Sequence, residues 1–117
     1  MSAVAIGTRA EALLWLAQRL SAAVLALCVL VHLATIVMAV QGGLSAAEIL
    51  GRTRGSVAWA AFYAAFVLAV AIHAPIGLRT VARETLGWRG MKLDLSVAAL
   101  ALLLAAFGWL AVAGLYA

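Results

Sequence analysis

The chain has 117 residues, of which 68% are hydrophobic and 10% charged, whereas soluble domains carry about 25% charged residues. This balance excludes a water-soluble fold. A helical crossing of a bilayer takes roughly 20 mostly apolar residues, so three crossings leave roughly 40 residues for ends and loops, too few for a catalytic or sensor domain. The net charge is +4, and its placement, described below, follows membrane orientation and implies no nucleic-acid partner. With one cysteine, Cys28, the chain has neither an intrachain disulfide nor a Cys-rich metal site.

The first apolar run extends from about Leu13 to Val40, with Gln18 and Arg19 near its start and His32 deep inside. It is nearly twice as long as the 7 to 15 residue core of a signal peptide, and it reads as an uncleaved anchor. A polar, Gly-containing segment from Gln41 to Ser56 follows. The second run, about Val57 to Leu78, carries His73 and the only proline, Pro75. The third, about Leu95 to Tyr116, comes after Arg89, Lys92 and Asp94. An open strand in lipid would leave backbone groups unpaired. The expected fold is therefore all-α and integral to the membrane, with three transmembrane helices at about 13–40, 57–78 and 95–116 in a single domain over 1–117.

Lys and Arg are retained on the cytoplasmic side. Six of them, Arg9, Arg19, Arg79, Arg83, Arg89 and Lys92, fall at one end of the spans, and Arg52 and Arg54 fall at the other. The N-terminus is therefore expected to be cytoplasmic and Ala117 external. Trp15, Trp88 and Tyr116 stand where aromatic anchors occur. Ala22, Ala26, Ala60 and Ala64 recur at four-residue spacing, which suggests faces of close helix approach.

Ionisable groups at bilayer depth cost on the order of 2.5 to 3.5 kcal/mol on insertion scales, and they mark function by default. Arg19, His32 and His73 qualify. At 1.5 Å rise per residue, His73 is about 8 Å from Leu78, and the two histidines differ in depth by roughly 12 Å. They cannot ligate one metal within one chain, so a bis-histidine haem here needs a ligand from another polypeptide. In the run His73-Ala-Pro-Ile-Gly77-Leu-Arg79, Gly77 shares a helical face with His73 and leaves room for a flat macrocycle. Arg79, further toward the cytoplasm, is placed to pair with the carboxylates of a haem. Pro75 cannot donate to the carbonyl of Ala71, so a bend or a free carbonyl is expected beside the histidine.

On these residues the chain resembles the membrane-anchor cytochrome b subunits of succinate dehydrogenase and fumarate reductase, respiratory complex II. That family carries, near the end of its second helix, a His, then Gly four residues on, Arg six residues on and an acid eleven residues on. His73, Gly77, Arg79 and Glu84 match this register, with Thr80 where the family has a second His. The stretch Gln18-Arg19-Leu20-Ser21-Ala22 is similar to the family's His-Arg-x-Ser/Thr-Gly, with Trp15 in place of the usual Ser one turn earlier. The resemblance implies His73 as haem b axial ligand, Arg79 at a haem propionate, and Arg19 and Ser21 at a quinone. His32, 41 residues before His73, resembles the extra histidine of two-haem members and is a candidate ligand for a second haem. It further implies a second membrane-anchor chain packing into a bundle and supplying the other ligand. Iron–sulfur and flavoprotein subunits would dock on the cytoplasmic face of the inner membrane, and electrons from succinate would pass to quinone. The chain is non-catalytic alone, since it holds no flavin fingerprint and no cysteine cluster.

Each assignment has a plainer alternative. Either histidine can simply bond a neighbouring helix, Arg19 can snorkel to the interface, and Ser21 can bond back to its own helix. Arg83, Arg89 and Lys92 read as solvated charge or as contacts to a soluble partner, and Cys28, Trp59 and Trp109 as packing or lipid-facing groups. As a whole, the chain is alternatively a haem b anchor for another respiratory dehydrogenase, or a small non-haem helical transporter or assembly protein.

Overall fold

The computed structural model describes residues 3–117, with side chains from Gly7 onward, so Met1 and Ser2 of the expected domain lie outside the described residues. Four helices follow in order: α1 (Ala3–Gln41), α2 (Ala46–Thr53), α3 (Val57–Thr85) and α4 (Met91–Tyr116). The three long ones contain the segments Gly7–Gln41, Val57–Thr85 and Met91–Tyr116, each long and apolar enough to cross a membrane. They extend beyond the apolar runs expected from hydropathy, since backbone pairing does not stop where the apolar side chains do. The longest dimension is 57 Å, against about 30 Å of hydrocarbon in a bilayer. Outward side chains such as Leu30, Leu102 and Trp109 are exposed and apolar, as lipid requires.

The third helix, α3, makes the principal contacts with both α1 and α4. The inner seam of α1 runs through Leu14, Gln18, Ser21, Leu25, Cys28, His32, Thr35 and Ala39, all buried or half-buried. Steps of four and three alternate along it, so the seam stays on one side of a helix with 3.6 residues per turn. The alanine face expected from four-residue spacing is only partly used: Ala22 is half-buried, but Ala26 is exposed. A strict four-residue step precesses by about 40° each time and leaves the contact. The Cys28 side chain lies buried in this seam as packing.

The inner face of α4 runs through Leu93, Val97, Leu104, Gly108 and Val112. A Cβ at Gly108 would overlap the Val67 side chain, so its absence sets the approach of α3 and α4. α3 continues as helix through buried Pro75. The segment Gln41–Ser56, expected as a loop, folds in part into α2. The Ser45 hydroxyl accepts from the Glu48 N–H at 3.2 Å while the Glu48 carboxylate accepts from the Ser45 N–H at 3.4 Å, a reciprocal cap. Its far end satisfies carbonyls in the last turn of α4, which have no helical donor. Thr53 Oγ1 donates to the Leu115 carbonyl at 3.0 Å, and the Gly55 N–H donates to that of Tyr116 at 2.9 Å. Gly55 reaches it with φ of 68°, a left-handed turn that suits glycine.

Candidate functional site

His73 is half-buried on α3 and faces α1. Its Nδ1 lies 3.4 Å from Ser21 Oγ, and that hydroxyl donates to the Gln18 carbonyl one turn back, at 3.1 Å. Ser21 is only 5% exposed, which shields its hydroxyl from bulk water. Among the described residues nothing bonds His73 Nε2, which leaves that nitrogen as the one able to take a metal.

Arg19 and Ser21 part company. Two residues on a helix are about 200° apart, so with Ser21 turned into the α1–α3 seam, Arg19 turns out. Its guanidinium sits 5.1 Å over the ring of Trp15, a cation–π contact. Arg19, Trp15, Gln18, Gly77, Arg79 and Thr80 line an open groove of about 530 Å³. The space above Gly77 is taken by Gln18, whose Nε2 would be 3.3 Å from a Cβ there. Gln18 Oε1 is buried and has no hydrogen-bond partner, a situation that costs about 1–3 kcal/mol. A side chain held on those terms gives up its place readily to a better-matched group.

At the edge of the groove, Arg79 donates to Glu11 on α1 at 3.3 Å and to Asp94 on α4 at 3.0 Å, and Arg83 donates to the same Glu11 oxygen at 3.1 Å. One guanidinium thus joins all three long helices at the basic end. Both carboxylates are more than half exposed, so each pair adds only about 0–1 kcal/mol. Glu84 is exposed. Arg83, expected as free charge, is committed to α1.

His32 lies apart. Ser21 on α1 stands level with His73 on α3, and His32 stands level with Tyr63, whose hydroxyl is 3.2 Å from His32 Nδ1. The ten residues from Tyr63 to His73 rise about 15 Å, whereas a metal–imidazole bond is only about 2 Å long, so one ion could not be held by both rings. The two histidines do not meet. The ring of His32 packs edge-on to Tyr63 and Phe66, with centroids 5.7 and 5.6 Å away, and Trp59 stacks on Tyr63. His32 lines two cavities. One, of about 250 Å³, is shared with Thr35, Arg52, Thr53 and Trp59, and the other, of about 430 Å³, with Phe66, Val70, Leu104 and Phe107.

Sequence reasoning missed Glu11, Asp94, Tyr63 and the buried amide of Gln18. A usable signal existed for the first two, because each is an acid at the margin of an apolar run, on the same end as the arginine cluster. Tyr63 gave one as well, as a phenol inside a span whose hydroxyl must find a partner.

Three long apolar helices, with a half-buried histidine and an arginine-lined groove gathered toward one end, define a multi-pass membrane protein with a polar site near one interface. The profile of the family described as Succinate dehydrogenase/Fumarate reductase transmembrane subunit matches residues 3–115, and the chain belongs to that family. It is a transmembrane anchor subunit of that class, which sets aside the transporter reading. No curated protein and no solved structure gives a match.

Proposed function

We propose that the chain is the haem b binding membrane anchor of a succinate:quinone oxidoreductase in the inner (cytoplasmic) membrane, with its N-terminus cytoplasmic. It would work beside a second anchor chain and cytoplasmic iron–sulfur and flavoprotein subunits. The observation that carries this reading is His73, with Nδ1 engaged by Ser21 and Nε2 unbonded among the described residues, in a chain of this family.

The residues present fit a haem. His73 Nε2 would hold its iron, and with His32 offset by about 15 Å any second imidazole would come from a partner chain. Gly77, one turn on, has no side chain of its own, and the unpaired amide of Gln18 covers its face and can be displaced. Arg79 reaches two carboxylates already, and its planar fork suits a propionate equally well. When bound, haem b supplies a one-electron carrier within the inner half of the bilayer. The chain's part is to hold its iron, balance its acidic edge and keep it away from water.

Arg19 is the proposed quinone contact. Fixed over Trp15 and facing the groove, its cation stabilises negative charge developing on a quinone head without reorganising at the moment of reaction. The oxygens of the head would also find the Thr80 hydroxyl within the same groove. The remaining cations of that end, Arg9, Arg89 and Lys92, suit an acidic face on the iron–sulfur partner.

His32 is proposed as ligand to a second haem, a reading favoured by an Nε2 that is unbonded among the described residues and by the two cavities that its ring lines. The Tyr63 hydroxyl would then accept from Nδ1–H and fix the tautomer. The overall proposal is tested by purifying the chain from its native membrane. Co-purified flavoprotein and iron–sulfur chains, with haem b reduced on adding succinate, are the expected result. A haem-free chain, or haem that succinate does not reduce while another donor does, would refute it.

A further inference from the structure

The geometry points to Ser21 as the positioning residue for His73: it accepts the Nδ1 proton and so presents Nε2 to the metal in one tautomer and one ring orientation. The inference rests on the reading of His73 as axial ligand. It also moves Ser21 from the quinone groove to the haem.

Ser21 Oγ has one proton to give and lone pairs to receive with. Its shorter contact, 3.1 Å, is to the Gln18 carbonyl, which can only accept. With the hydroxyl proton spent there, the oxygen offers a lone pair to His73 Nδ1 at 3.4 Å, at the long end of hydrogen bonding. Nδ1 then carries the proton, and Nε2 is the bare nitrogen. The opposite arrangement, with the serine donating to Nδ1, puts the proton on Nε2 and blocks ligation. Among the described residues no other polar atom is within bonding distance of Nδ1. The serine is 5% exposed, and it belongs to α1 while the histidine belongs to α3. Packing of the two helices therefore sets the plane of the ring about its bond to iron. A partner that orients a ligating histidine and raises its basicity is a general feature of metal sites, and its loss typically weakens metal retention about 10- to 100-fold.

The side chain of Arg19, two residues earlier, lines the groove, and Ser21 does not. A quinone role predicts that loss of Ser21 changes quinone kinetics and leaves the haem alone. A positioning role predicts the reverse.

The test uses the assembled complex carrying Ser21→Ala, Ser21→Thr or His73→Ala. In Ser21→Ala the haem b band is retained, haem passes to an apo-globin acceptor at least about 10-fold faster, and the ferric low-spin resonance shifts. Ser21→Thr, which keeps the hydroxyl, restores both, and the KM for quinone is unchanged in the two Ser21 variants. Should Ser21→Ala fail to assemble, Ser21→Cys keeps the volume, lacks a strong acceptor and is read by the same two measures. Haem transfer and resonance both equal to wild type in the variant lacking the hydroxyl would overturn the inference, as would a change that Thr does not rescue. Haem of the His73 site surviving in His73→Ala would instead overturn the axial-ligand reading itself.

Discussion

Arg79 and Glu11 meet at 3.3 Å across the α1–α3 junction, and the same guanidinium reaches Asp94 of α4 at 3.0 Å. The arginine assigned to the acidic edge of a haem already holds two carboxylates, one from each neighbouring helix. Exposed pairs of this kind are worth about 0–1 kcal/mol each, so their weight lies in position more than in stability. Glu11→Gln and Asp94→Asn are expected to change thermal unfolding in detergent by less than about 1 kcal/mol and to leave haem content undiminished, since they free Arg79. Arg79→Ala should lower haem retention. Wild-type retention in that variant would reduce Arg79 to a helix tie.

Arg19→Leu removes the cation over the groove while leaving the α1–α3 seam, which Arg19 faces away from, intact. A lost charged contact of this type lowers kcat/KM for quinone by on the order of 10-fold or more, with haem content and its spectrum unchanged. Steady-state quinone reduction by the assembled complex measures it. Unaltered kinetics would leave Arg19 with a snorkelling role against Trp15.

His32 offers a count. If it ligates a second haem, His32→Ala halves the haem found per complex and leaves the spectrum of the His73 haem in place. Tyr63→Phe, which removes the hydroxyl 3.2 Å from Nδ1, keeps both haems but loosens the one at His32. Chemical haem analysis against protein mass decides the matter. Unchanged haem content in His32→Ala would mean that the ring serves only to pack against Tyr63 and Phe66.

Gly108 tests the fold independently of any cofactor. A Cβ there overlaps Val67, and overpacking of this kind costs about 1–3 kcal/mol. Gly108→Ala should destabilise the chain, and Val67→Ala placed on top of it should recover part of the loss, a coupling that a double-mutant cycle reads out. Additive effects would show that α3 and α4 do not approach at this point.

Much of this architecture was visible in hydropathy alone, because lipid removes every alternative to helix for the runs around Cys28, Ala69 and Leu104. The register His73, Gly77, Arg79 was legible for the same reason: on a helix known in advance, spacing fixes relative direction. What spacing within one helix cannot supply is rotation between helices. Ser21 and His73 are 52 residues apart, and Glu11 and Arg79 are 68 apart; both contacts depend on how α1 turns toward α3. The parting of Ser21 from Arg19 is different, since a two-residue step of about 200° within α1 already turns them to opposite sides; only which of the two faces α3 depends on that rotation. The short helix α2 was overlooked although Ser45 and Glu48 spell its cap, because an eight-residue segment carries little periodic signal beside three long apolar runs.

The central claim is that His73 binds haem iron, and the reduced-minus-oxidised optical spectrum of the assembled complex tests it most directly. The wild-type complex should show a haem b difference band, and His73→Ala, assembled with the same partner subunits, should lose the contribution of that haem. An assembled His73→Ala complex with the full wild-type band, or a wild-type complex with no haem band, would contradict the account.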